Sequence, residues 1–207
     1  MTADAGAPQI SDSFFGGCRP PVQGHAQYMT AKQFFDWQTA GGTNDVMRFV
    51  EALEEADIPW CTISGVAVNH WAREPMVTQD VDFVVAIGAV ENAIAALEKA
   101  GFCAEKFEWS VNFGGTSKVA LQLSTEEFYR EFPLRAVAAD VHGIPIRVAS
   151  LEDTLRGKIK AWSDAEKRRS KQIKDLADIA RLVEAHPRLW DELSDELKNE
   201  LHLPGKE

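Results

Sequence analysis

The apolar positions change period several times along the chain, and each change marks an element. Val46, Phe49, Val50 and Leu53 recur at helical spacing, with Thr43 or Asn44 placed to cap that helix and Ile58-Pro59 to close it. An earlier helix is expected from about Thr30 to Gln38, ended by Gly41-Gly42. Trp60 to Ser64 reads as a short strand that stops at Gly65, and Val66 to Trp71 as a helix directly after it. Val81 to Ile87 is an almost unbroken apolar run, the pattern of a strand buried on both faces. Val90, Ile94 and Leu97 share one face of a helix that reaches Ala100, with Gly101 as its C-cap. Lys118 to Leu123 alternates like a strand, and Ala138 to Val148 places His142-Gly143 between two apolar stretches, which predicts a hairpin. Ser150 caps a helix striped by Leu151, Leu155, Ile159 and Trp162, with Asp153 at capping-box distance. A last long helix is expected from about Asp164 to Glu184, with Ile173, Leu176, Ala180 and Val183 inward and Pro187 as its stop.

This order predicts an α+β fold: a core over residues 31–149 with a mixed sheet flanked by helices, then a C-terminal helical segment over 150–207. Residues 1–30 are rich in Gly, Pro, Ser and Ala without a sustained period, and read as a tail that is poorly ordered or docked.

Composition narrows the class. No run approaches the ~20 apolar residues of a membrane helix, and the first 30 residues lack the pattern of a secretory signal. Cys18, Cys61 and Cys103 are too widely spaced for a disulfide framework or a zinc site, so a reducing cytoplasm is the expected setting. The five histidines are scattered, and the six tryptophans read as packing residues. Net charge is −10, yet the segment from Arg156 to Lys174 holds eight basic residues against Asp164 and Glu166. That basic island on an acidic body is a seat for phosphates or a solvated helix face.

The chemistry concentrates between Ile63 and Val85. Ser64-Gly65 sits between a strand and a helix, and Asp80 and Asp82 open the next strand. Alternate strand residues share a face, so the two carboxylates point the same way. Such a pair repels itself and suits a hard divalent cation, Mg²⁺ or Mn²⁺, that also binds substrate phosphates. The Ser64-Gly65 turn offers a hydroxyl and backbone amides at a helix N-terminus, where anions are favoured. Together these suit in-line phosphoryl or nucleotidyl transfer. A solvated strand start is the plain alternative.

The segment resembles the polymerase β-like nucleotidyltransferase superfamily, and more narrowly its AbiEii/AbiGii toxin-like branch. The resemblance rests on Thr78-Gln79-Asp80-Val81-Asp82, on Val148 to Lys158, and on Lys174-Asp175-Leu176-Ala177-Asp178, and spans about residues 45–185. It implies that Ser64 and Gly65 cradle phosphates, Asp80 and Asp82 ligate the metal, Lys158 neutralises triphosphate charge and Asp175 is a distal acid. It implies transfer of a nucleoside monophosphate from a nucleoside triphosphate to an acceptor hydroxyl, RNA (especially tRNA) among the acceptors, in a toxin with a cognate antitoxin. Lys158 adjoins Ile159 at the border of the buried stripe, where a lysine snorkels towards a cleft or simply covers the edge.

Three departures from the family pattern keep other readings open. The turn is Ser-Gly where the pattern begins with Gly. Met76 stands where relatives often have Arg, with Arg73 nearby. The central strand carries Ala120 and Gln122 in place of a third carboxylate, so a base would come from Asp140, Asp175 or the acceptor. A degenerate, non-catalytic nucleotide-binding module and an enzyme with a small-molecule, antibiotic-type acceptor are the alternatives.

Overall fold

The computed structural model describes residues 30–72, 76, 78, 80–141 and 143–201. The N-terminal tail, Arg73 and His142 lie outside the described residues. The chain begins with α1 (Ala31–Thr39), α2 (Gly42–Glu55), β1 (Trp60–Thr62), α3 (Ser64–Ala72), β2 (Asp80–Val85) and α4 (Val90–Lys99). There follow β3 (Cys103–Lys106), β4 (Ser110–Gly114), β5 (Ala120–Ser124), β6 (Val137–Val141) and β7 (Ile144–Val148). The C-terminal part holds α5 (Leu151–Ser163), α6 (Arg169–Ala185) and α7 (Asp195–Leu201).

The seven strands form one mixed sheet in the order β3-β4-β5-β2-β1-β7-β6. β2 runs antiparallel to β1 and parallel to β5, so the strand that carries the two aspartates is central. One face of the sheet is apolar. Val81, Phe83, Val85, Val111, Phe113, Leu121 and Leu123 pack there against Phe49 and Leu53 of α2 and Ile94 and Leu97 of α4. Phe49 lies at its centre, stacked on Phe83 and edge-on to Phe102 and Phe113. The period-2 alternation then sends Asp80, Asp82 and Val84 to the opposite face.

That opposite face is closed in part by the C-terminal helices. Leu151, Leu155, Ile179, Leu182 and Val183 form a second core with Val68 and Ala72 of α3. α5, α6 and α3 are thereby packed on one another, and the cleft they leave lies over the aspartates.

Several expected boundaries shift for identifiable reasons. α2 begins at Gly42 behind a left-handed Gly41 with no side-chain cap, so neither Thr43 nor Asn44 caps it. Thr30 does cap α1, in a reciprocal capping box with Gln33. α3 begins at Ser64, two residues earlier than expected. α6 begins only at Arg169, because residues 164–168 form a turn in which Lys167 N donates to Asp164 O. Ile173, expected inward, is 54% exposed. The inward face of α6 runs through Asp175, Asp178, Ile179, Leu182 and Val183 instead. Ser150 caps α5 by accepting from the Asp153 amide, but the Asp153 carboxylate does not complete the box. It takes a bidentate pair from Arg135, at 2.9 and 3.0 Å.

Candidate active site

The site starts at the turn from β1 into α3. Ser64 has φ +55°, a left-handed conformation that any residue but glycine adopts at a cost. This explains the departure from the family pattern at this position: the backbone demands what glycine does freely, and the serine hydroxyl is the gain. That hydroxyl faces the Asp82 carboxylate and favours its charged form. Gly65 follows, and a Cβ there would come within 3.3 Å of the Thr78 hydroxyl oxygen. Thr78 Oγ1 in turn donates to the Asp80 carbonyl at 3.0 Å. The threonine before the dyad thus packs on the Ser64-Gly65 turn and fixes the start of β2.

The two carboxylates differ in surroundings. Asp80 is exposed and Asp82 partly buried. Burial pushes the Asp82 carboxyl up from its usual value, and Asp80 beside it adds to that. The Ser64 hydroxyl, Lys158 and Lys174 oppose the rise without cancelling it. A divalent cation between the carboxylates would reverse the balance.

The neighbouring strand sets what faces the dyad. β5 pairs with β2 in a register that puts Ala120 beside Asp80 and Gln122 beside Asp82. The place of a third carboxylate is therefore taken by an amide, and Gln122 Nε2 donates to Ser110 Oγ at 2.8 Å. Among the described residues no group of three or more acidic, His or Cys side chains gathers as a metal cage. Two aspartates on one face remain, and that donor set fits Mg²⁺, which binds through one or two carboxylates and completes its shell with water and phosphate oxygens. Asp140 is not an alternative base at the dyad. It lies on β6, beyond β1 and β7 from β2, and its carboxylate accepts from Gly143 N in the hairpin turn.

Ser64, Asp82, Lys158 and Asp175 come together as walls of a cavity of about 300 Å³. Asp80 and Asp82 line a second cavity of about 570 Å³, with residues of β3, β4 and β5. The two share Asp82 and Gln122. His70, one of the scattered histidines, packs edge-on to Trp71 and lines neither.

Lys158 is almost wholly buried, and its ammonium sits 3.0 Å from Asp175 Oδ1 and 2.7 Å from Asp178 Oδ2. Burial alone would depress its pKa, but the Asp178 and Asp175 charges outweigh it and hold the lysine protonated. Asp175 is driven the other way: burial raises it, and Lys158 and Lys167 together bring it below the usual carboxylate value. Arg181 completes the chain of charges by pairing with Asp178 at 3.0 Å and reaching Asn69 Oδ1 at 3.1 Å. Asn69 clamps the backbone of Met76, accepting from its amide and donating to its carbonyl. The network thus runs from α5 through α6 and α3 to the segment before the dyad. Asp178, Arg181 and Asn69 were not singled out in the sequence, although Asp178 closes the Lys174 to Asp178 motif.

A profile of the AbiEii nucleotidyltransferase toxins of type IV toxin–antitoxin systems matches residues 65–203. The chain belongs to that family. Solved structures agree on the fold. The solution structure of the antibiotic-resistance factor ANT(2'')-Ia is similar with a TM-score of 0.50 and 12% identity, over 78% of this chain and 98% of that one. A crystal structure of ANT(2'')-Ia in complex with adenylyl-2''-tobramycin gives a TM-score of 0.50 and 16% identity, over 77% of this chain and 96% of that one. An antigenic nucleotidyltransferase-like protein from Paracoccidioides brasiliensis reaches 22% identity and a TM-score of 0.49, over 75% of this chain and 84% of that one. No curated protein matches the chain. The family match begins at Gly65 and takes in the dyad, Lys158 and Asp175. Like its fold, this AbiEii family member is a mixed α/β protein, and no helix among its described residues is long and apolar enough to cross a membrane.

Proposed function

We propose that this AbiEii family protein is a metal-dependent nucleotidyltransferase that moves a nucleoside monophosphate from a nucleoside triphosphate to an acceptor hydroxyl and releases pyrophosphate. The observation that carries the reading is the position of the dyad. Asp80 and Asp82 share one strand face and Asp82 lines both cavities, and among the described residues Ser64 and Lys158 line the first cavity and not the second. In-line displacement needs such an arrangement, with donor and acceptor on opposite sides of the reacting phosphorus.

The geometry supports the following roles. Asp80 and Asp82 hold Mg²⁺ or Mn²⁺, which supplies charge neutralisation on the transferring phosphoryl group. Ser64 and the Gly65 amide hold phosphate oxygens at the start of α3. Lys158 presents a positive charge that Asp175 and Asp178 keep in place. Chemistry of this kind is chiefly positioning and electrostatics.

Two observations bear on the acceptor. Arg168, Arg169, Lys171 and Lys174 are exposed at the start of α6 and make no ion pair among the described residues, which supports RNA. Among the described residues the second cavity is lined by Asp80, Asp82 and Glu105 and by no lysine or arginine, which favours a small hydroxylated acceptor that is neutral or cationic. The family name implies an antitoxin as a protein partner.

The test is calorimetric titration of a non-hydrolysable nucleoside triphosphate with Mg²⁺, followed by transfer assays with labelled nucleotide on total RNA and on hydroxylated small molecules. Wild type is expected to bind only with metal, and the Asp80→Asn/Asp82→Asn variant to lose binding with an unchanged circular dichroism spectrum. Removal of two carboxylates that repel each other leaves the fold intact. Failure of wild type to bind any of the four nucleotides would sink the proposal.

A further inference from the structure

Trp109 departs from the packing role expected of the tryptophans. Trp60 is buried, and Trp71, Trp162 and Trp190 pack against the C-terminal core, whereas Trp109 is 62% exposed. Its backbone is nevertheless held on both sides. Phe107 N donates to Ser110 O at 2.8 Å and closes the β3–β4 turn, and Thr125 N donates to Trp109 O at 3.0 Å and ties that turn to the end of β5. An indole on an anchored backbone, left uncovered, is a flat apolar surface open to a ligand.

The surface belongs to one cavity and not the other. Trp109 lines the same cavity as Ser64, Asp82 and Lys158 and is absent from the wall of the second. A triphosphate needs cations, and among the described residues the first cavity offers them, from Lys158, Lys160 and Lys167, and the second does not. On the reading proposed above, the donor therefore occupies the first cavity, with its phosphates at Ser64 and Lys158. We propose that Trp109 is the stacking platform for the nucleobase of the donor nucleotide. Ser110 and Gln122, on the same wall, hydrogen-bond to each other. Stacking of this kind is tolerant of base identity, because every base has a π-face.

The inference rests on the donor-site reading, and the experiment separates the two. Calorimetry with Mg²⁺ measures a non-hydrolysable ATP analogue and inorganic tripolyphosphate on wild type, Trp109→Ala and Trp109→Phe. The expected result is that Trp109→Ala weakens the nucleotide on the order of tenfold, leaves tripolyphosphate unchanged, and that Trp109→Phe restores most of the affinity. Equal nucleotide affinity in wild type and Trp109→Ala overturns the proposal and moves the ring to the acceptor or to no ligand. An equal loss for both ligands also overturns it, since the ring would then act through the phosphate site. Wild type that binds tripolyphosphate but not the nucleotide removes the stacking role while keeping the anion site. Wild type that binds neither removes the donor site itself.

Discussion

Lys158 is where structure and proposed chemistry meet, and replacing it with methionine separates them. Lys158 is the one cation among the described ion pairs that contacts both Asp175 and Asp178. Methionine keeps the length and the apolar stem but removes the charge. Two buried carboxylates then lose their shared partner, a change that typically costs 3–5 kcal/mol, roughly. Two features reduce it here. Lys167 still pairs with Asp175, and Arg181 still pairs with Asp178. A loss of about 3 kcal/mol is therefore expected, which shifts the urea midpoint by about 1 M for a chain of this size. The double variant Lys158→Met/Asp175→Asn removes one charge of each sign. It should recover part of the lost stability, because one of the two carboxylates that shared the lysine is gone. Transfer activity should not recover in either variant, because the triphosphate has lost its buried positive charge. Urea unfolding followed by tryptophan fluorescence reads the first effect, and single-turnover transfer the second. A wild-type midpoint in Lys158→Met would refute the structural part of the reasoning. Wild-type transfer in the double variant would refute the functional part.

Two further perturbations test the surroundings of the site. Asp45 is fully buried in α2 and accepts from Thr116 N, Thr116 Oγ1 and Ser117 N at 2.7–2.9 Å. Burial alone would raise its pKa, but the Ser117 and Thr116 hydrogen bonds outweigh it and lower the carboxyl below its usual value. A carboxyl depressed on folding contributes stability above its unfolded pKa and loses it as pH falls through the folded value. Asp45→Asn should therefore be destabilised at neutral pH and show a shallower loss of stability below about pH 4, and acid limbs identical to wild type would refute this. Ser64→Gly relieves a left-handed serine, about 1–2 kcal/mol, against about 0.5–1 kcal/mol of added chain entropy. The variant should melt at the same temperature or slightly higher yet transfer more slowly for want of the hydroxyl. Ser64→Ala keeps the strain and loses the hydroxyl, so activity at the wild-type level in both would remove that group from the site.

The N-terminal cap of α5, the β6–β7 hairpin and the buried strand β2 were legible because each is signalled locally. Ser150 lies directly before an apolar stripe, and Gly143 has the positive φ that a tight turn requires. β3 and β4 were not legible. Cys103–Lys106 is an edge strand with an exposed, irregular pattern, so no alternation marks it, and only pairing with β4 makes it a strand. The misplacement of Ile173 has a related cause. A periodic reading counts Asp175 and Asp178 as surface, whereas they are interior because Lys158 enters from α5 to meet them.

By itself, the sequence determined that Asp80 and Asp82 share a face, since the two-residue period of a strand is a property of the backbone. It determined too that a small-residue turn opens a helix shortly before them. Tertiary structure decided what those groups meet. Strand register set Gln122 beside Asp82, the docking of α5 on α6 buried Lys158 between two carboxylates, and the pairing of β3 with β4 left Trp109 uncovered at the cavity wall. These are contacts between residues far apart along the chain, and their energies depend on distance and burial, which no local pattern encodes.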